Sequence, residues 1–179
     1  MPVHVAFLRA VNVGRRQVRM ADLRVALEDA GFAEVETYIQ TGNVRVRTPV
    51  RSTVRVGAEL TRVISAWTGF DVPCIVRTPA QLGATVAAVD RVEALLEPPG
   101  RRYVALADGR VPTGAAELLD AWDEPGERVR VLGSEVLAEL GNGFRTTRLT
   151  NTRIEKMTGL TTTWRDLTVV RALAERWGA

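Results

Sequence analysis

The sequence predicts an α+β protein of two halves. Each half runs β-α-β-β-α-β as a split βαβ unit and folds as an antiparallel sheet with its helices on one face. Three observations lead there. Apolar spacing switches between period two and a helical period in the same order twice along the 179 residues. Turn residues divide strand-like runs at Thr41-Gly42-Asn43 and again at Gly133-Ser134. The breaker Glu97-Pro98-Pro99-Gly100 separates the two series.

The elements follow in order. In VHVAFLR, Val3, Val5 and Phe7 share one face while His4, Ala6 and Leu8 share the other, a strand covered on both sides. From Met20 the spacing becomes helical, with Met20, Leu23, Leu27 and Ala30 inward, Arg24 and Glu28 paired outside, and Gly31 as the stop. EVETYIQTGNVRVRT is a hairpin around Gly42-Asn43, with Ile39 in the core. A helix over about Thr53–Trp67 points Val56, Leu60, Val63, Ile64 and Trp67 to the core. In the strand FDVPCIVRT, Pro73 requires an edge position or a place among the strand's first residues.

A helical connection over about Pro79–Val89 follows, and then the order repeats. RYVALAD is a strand, TGAAELLDAW a helix, RVRVLGSEVLAEL a hairpin and TNTRIEKMTG a helix capped by Thr150 or Asn151. TTTWR and a helix to Trp177 complete the chain. The domains expected are 1–78, a helical linker over 79–100, and 101–179 with an extra C-terminal helix, the halves being related by duplication.

Composition narrows the function classes. Apolar residues make up 46% and charged residues 25%, a globular balance, and no apolar run is long enough to span a bilayer. Met1 leads directly into a strand-like segment, so a cytoplasmic location is expected. Cys74 is the only cysteine and His4 the only histidine, so no metal site built from those residues and no cofactor is expected. Ser52, Ser65 and Ser134 lie in no nucleophile-elbow setting. ELLDAWDEPGE gathers Glu117, Asp120, Asp123, Glu124 and Glu127. Helical spacing puts Glu117, Asp120 and Glu124 near one face, which suits a hard cation in principle but reads first as a solvated face, with Leu118, Leu119 and Trp122 accounting for the rest of the helix. The net charge is +3 and Lys156 is the only lysine, so the basic charge is almost wholly arginine, which suits pairing with oxyanions.

The candidate site is the first strand-to-helix loop. Arg9, Asn12, Arg15, Arg16 and Arg19 gather beside a helix N-terminus, and Gly14 permits a positive φ or a close approach to the backbone. The same residues also suit a plain connector, with Asn12 bonding the local backbone and solvated arginines. Tyr38, Gln40 and Asn43 stand at the hairpin turn and are candidates to line a cleft. Arg145, Arg148 and Arg153, with Arg165 further on, form a second basic region that would complete a positive cleft if the halves face one another.

Leu8-Arg9-Ala10-Val11-Asn12-Val13-Gly14-Arg15, then Met20, then Tyr38-Ile39-Gln40-Thr41-Gly42-Asn43-Val44 resembles the bacterial domain-of-unknown-function family 1697. Residues 142–175 are similar to that family's C-terminal region. The resemblance implies two ferredoxin-like halves and implies no activity. The chain departs from the family pattern at Ala10 and Arg15, where glycines are usual, and over Arg165-Asp166-Leu167-Thr168-Val169-Val170.

The functional expectation is binding of an anionic small molecule, without a catalytic role. The alternatives are an enzyme acting on a phosphorylated or carboxylated small molecule, with Asn12, Tyr38 or Gln40 orienting it, and nucleic-acid binding. Only 6% of residues are aromatic, which places nucleic acid last.

Overall fold

The alternating apolar residues of β1 (Val3–Leu8) form an inner strand of the computed structural model, which describes residues 1–178. The fold is mixed α+β, with two antiparallel sheets and six α-helices among the described residues. The chain divides into two compact units, one of Met1–Leu82 with the residues from Leu173 onward, the other of Gly83–Ala172.

In the first unit β1 lies between β3 (Asn43–Arg47) and β4 (Cys74–Arg77), and β2 (Ala33–Tyr38) flanks β3, giving the order β2-β3-β1-β4. Every neighbouring pair is antiparallel. The inner place of β1 explains why His4 to Leu8 are all buried, as an inner strand covered on both faces requires. One face packs Ala6, Leu8, Val44 and Val46 against Leu23 and Leu27 of α1 (Met20–Asp29) and Val56, Leu60 and Ile64 of α2 (Thr53–Thr68). Ser52 caps α2 by accepting the Arg55 N–H, and Gly69 closes it in the left-handed region. As Pro73 requires, β4 is a short edge strand beginning directly after it.

Some side chains depart from the expected pattern. Trp67 is 42% exposed because the 16-residue α2 outruns the four-residue strand β4 on which it packs. Ala30 is exposed, since α1 ends at Asp29. Arg24 donates to Thr37 Oγ1 at 2.7 Å in place of a Glu28 pair. Ile39 is 43% exposed at φ +50°, because the strand alternation stops at Tyr38. Cys74 is half-buried and donates to the Val72 carbonyl; burial pushes its thiol up to about 12, so it is not a thiolate at neutral pH.

The helix α3 (Pro79–Asp90) begins in the first unit and continues in the second. The second unit holds β5 (Arg101–Ala107), α4 (Thr113–Asp120), β6 (Asp123–Glu124), β7 (Glu127–Leu132), β8 (Glu135–Leu140), α5 (Asn151–Thr158) and β9 (Thr162–Asp166). It also holds the start of α6 (Leu167–Trp177). The sheet order is β6-β7-β8-β5-β9, again antiparallel throughout. The expected helix through Trp122 stops at Asp120, and Asp123 and Glu124 pair with Arg128 and Glu127 across a turn made by Pro125-Gly126. The acidic residues therefore do not share one helix face. Leu118 is exposed, while Leu119 and Trp122 enter the core.

The irregular segment between α3 and β5 is held by two paired side chains, Glu139 and Arg102. Glu139, fully buried on β8, accepts the N–H groups of Leu95 at 3.1 Å, Leu96 at 3.2 Å and Gly100 at 3.0 Å, and Nε of Arg102 at 2.9 Å. Arg102 also donates to the carbonyls of Val92 and Glu93. Burial alone would raise the Glu139 carboxyl; these donors outweigh it and hold the group below the ordinary glutamate value.

Candidate functional site

The β1–α1 loop, residues 9–19, is a built structure. The Leu8 N–H donates to the Gly42 carbonyl and the Arg9 N–H to the Pro73 carbonyl, which anchors the loop to the β2–β3 turn and to the start of β4. Its centre is folded on Asn12. Asn12 Oδ1 accepts the Val18 N–H at 2.7 Å, and Nδ2 donates to the Val18 carbonyl at 3.0 Å and to the Gln40 carbonyl at 2.6 Å. A sequence candidate for ligand contact therefore spends its amide on joining two loops.

Backbone strain gathers at the same place. Among the described residues four without a glycine's freedom have positive φ, and three of them, Ala10 (58°), Asn12 (55°) and Ile39 (50°), belong to these two loops. Gly42 is required twice over. Its φ is +79°, and a Cβ there would stand 2.5 Å from Val11 Cγ2 and 2.8 Å from Leu8 Cβ. Gly14 faces open space and is needed only for its φ of +59°.

The loop and the turn enclose a cleft of about 540 Å3 lined by Asn12, Gln17, Val18, Arg19, Met20, Ala21, Arg24 and Gln40. Its wall includes the N-terminus of α1, where Arg19 occupies the cap position and no side chain caps the exposed N–H groups. The Arg19 side chain is 85% exposed and stands 3.9 Å from Asp22, a loose pair. Gln17 is braced by donating Nε2 to the Gly14 carbonyl at 3.1 Å.

The arginines of the loop do not all converge. Arg16 lies over the Phe70 ring, its guanidinium carbon 5.3 Å from the centroid, and reaches the Asp71 carbonyl, away from the cleft. Arg15 is exposed, and Arg9 is half-buried; neither lines the cleft. Tyr38 stands edge-on to Trp177 at 6.5 Å, and the Asn43 amide donates to the Tyr38 carbonyl and to Thr41 Oγ1, so both act within the hairpin and its surroundings. The sequence reading missed Arg24 and Gln17. Helical spacing held a signal for the former, because Met20, Ala21 and Arg24 fall on one face at the start of α1.

The second basic region also disperses. Arg165 is buried on β9, where burial pushes its guanidinium down to about 10 and Nη1 donates to Thr163 Oγ1 and the Trp164 carbonyl. Arg148 pairs with Glu124 at 2.9 Å, and Arg145 is exposed on a short 3-10 turn, Phe144–Thr146. Glu127, one of the acidic residues gathered after α4, is buried, accepting Trp122 Nε1 at 3.0 Å and the Arg148 N–H at 2.8 Å.

No helix of the described residues is long and apolar enough to cross a membrane. Among solved structures, the conserved bacterial protein SP0830 from Streptococcus pneumoniae matches with a TM-score of 0.72 at 16% identity, covering 100% of this chain and 99% of that one. That likeness bears on the fold alone. A search of curated proteins finds no match. The model of the family described as protein of unknown function (DUF1697) matches residues 1–137, and the chain belongs to that family.

Proposed function

We propose that the protein binds an anionic small molecule in the cleft between the β1–α1 loop and the β2–β3 turn. The observation that carries this reading is the meeting, in one cleft, of Arg19, Arg24, Gln17 and Gln40 with the uncapped N-terminus of α1. Unpaired N–H groups and the helix dipole favour negative charge there, and guanidinium groups add directional donors. Loop backbone held in strained conformations by Asn12 and Gly42 supports a pre-formed site. We also propose that the halves are ferredoxin-like units related by duplication, since β2-β3-β1-β4 and β7-β8-β5-β9 follow one strand order.

The test is a thermal-shift and calorimetric titration with inorganic phosphate and citrate. Arg19→Gln and Arg24→Gln should each weaken binding about tenfold, the effect of losing a charge-assisted hydrogen bond of roughly 1.5 kcal/mol. Equal affinities in the variants and the parent would exclude this cleft.

A further inference from the structure

We infer a second oxyanion site, on the face of the first sheet turned away from α1 and α2, where Arg47 and Arg176 line a cleft of about 350 Å3 together with Val3, Glu36, Arg45 and Trp177. Arg45 and Arg47 alternate with the core residues Val44 and Val46 and so project to that opposite face. The last turn of α6 supplies Arg176 and the buried Trp177. The cleft shares no lining residue with the one beside α1.

Charge and hydrogen bonding leave this cluster incomplete. Three guanidinium groups, of Arg45, Arg47 and Arg176, meet two carboxylates, of Glu34 and Glu36. Glu36 is engaged by Arg45 at 2.9 Å and by the Trp177 indole N–H at 3.2 Å, so Arg176, at 3.5 Å, is left as the surplus cation. Arg47 Nε is buried and makes no aligned hydrogen bond, its nearest acceptor being the Glu34 carboxylate, an ion-pair partner at 3.0 Å. Buried donors are rarely left so unless a partner is absent.

The backbone adds an independent sign. The β2–β3 register shifts between Ala33 and Glu36, and Glu34 within this bulge takes φ +48°, a strained value for a residue with a side chain. From this bulge Glu34 pairs with Arg47 at 3.0 Å and with Arg45 at 3.6 Å, and Arg47 also lines the cleft. The chemistry fitted is a small phosphate or carboxylate bridging Arg47 and Arg176, with the Glu36 carboxylate in the lining opposing ligands of high negative charge.

The test follows the side-chain N–H signals of Arg47 and Trp177 by 15N NMR while inorganic phosphate, and separately acetate, is added to the whole protein. Saturable shifts at both groups are expected, with affinity about tenfold weaker in Arg176→Gln and unchanged in Arg19→Gln. The stronger of the two probes identifies the ligand class. Shifts confined to the amides of Met20, Ala21 and Asp22, or none that saturate at Arg47 and Trp177, would overturn the inference, and the parent protein alone decides this if a variant fails to fold.

Discussion

The two sheets repeat one strand order but treat the connection after their first strand differently. In the second unit five residues, Asp108–Pro112, lead from β5 to α4; in the first, eleven residues, 9 to 19, lead from β1 to α1. The anchoring is the same in both. Leu8 and Ala107 each donate to a carbonyl of the neighbouring hairpin turn, Gly42 and Ser134, and Arg9 and Asp108 each donate to the residue leading into the edge strand, Pro73 and Thr161. The additional residues of the first loop are therefore not needed to close a strand-helix unit. They are folded on Asn12, carry positive-φ backbone at Ala10 and Asn12, and wall a cleft, whereas the short loop is fastened by Asp108 accepting the Thr161 N–H. The two units thus share a strand order and an anchoring pattern, and only the first loop adds a cleft to them.

The largest expected effect lies in the second unit. Glu139→Gln removes the charge opposite Arg102 and weakens three backbone hydrogen bonds, so unfolding free energy should fall by about 3 kcal/mol, as when one member of a buried pair is lost. Urea denaturation gives the magnitude, and hydrogen exchange should quicken first at Leu95, Leu96 and Gly100. If those amides keep their protection, this carboxylate does not hold the segment.

Gly42→Ala should cost about 2–3 kcal/mol, since its Cβ would overlap Val11 and Leu8 in a strained φ. Gly14→Ala should cost nearer 1 kcal/mol, because only its φ opposes a side chain. A reversed order would show that the two loops do not pack as described. Asn12→Ala should cost about 1–2 kcal/mol and weaken anion binding through the loop's shape, without loss of a ligand contact. The smallest effect belongs to Arg19→Gln, where melting temperature should not move although the phosphate-induced shift falls.

Acid sharpens the same comparison. Glu139 and Asp166 both sit below their ordinary values. At Asp166, burial acts in the opposite direction and is outweighed by the Thr168 hydroxyl and N–H and by Arg101. An acid with a depressed folded pKa contributes stability that is present above its unfolded value and lost as pH falls through the folded one. Stability should therefore decline as pH drops below the ordinary carboxylate range, and Glu139→Gln should flatten that decline. An equally steep decline in the variant would place the acid sensitivity elsewhere.

Much of the element order was legible because burial demands are local and periodic. Leu23 and Leu27 on α1, Val44 and Val46 on β3, and the turn at Gly133 follow from spacing and turn chemistry alone. The candidate site was half legible. Arg19, Asn12 and Gln40 line the cleft as a loop-based reading expects, yet Arg16 turns to Phe70, Arg165 enters the sheet, and Arg24 joins from a helix face assigned to a local ion pair.

By itself the sequence determined most of the strands, helices and turns, because apolar periodicity, proline and glycine act over a few neighbouring residues; the short strand Asp123–Glu124, which needs its partner β7, was not among them. Only the tertiary structure decided which guanidinium groups meet in a cleft. An arginine side chain is long enough to reach several neighbours, and its direction is set by partners such as Thr37, Phe70 and Glu36 that lie far away along the chain.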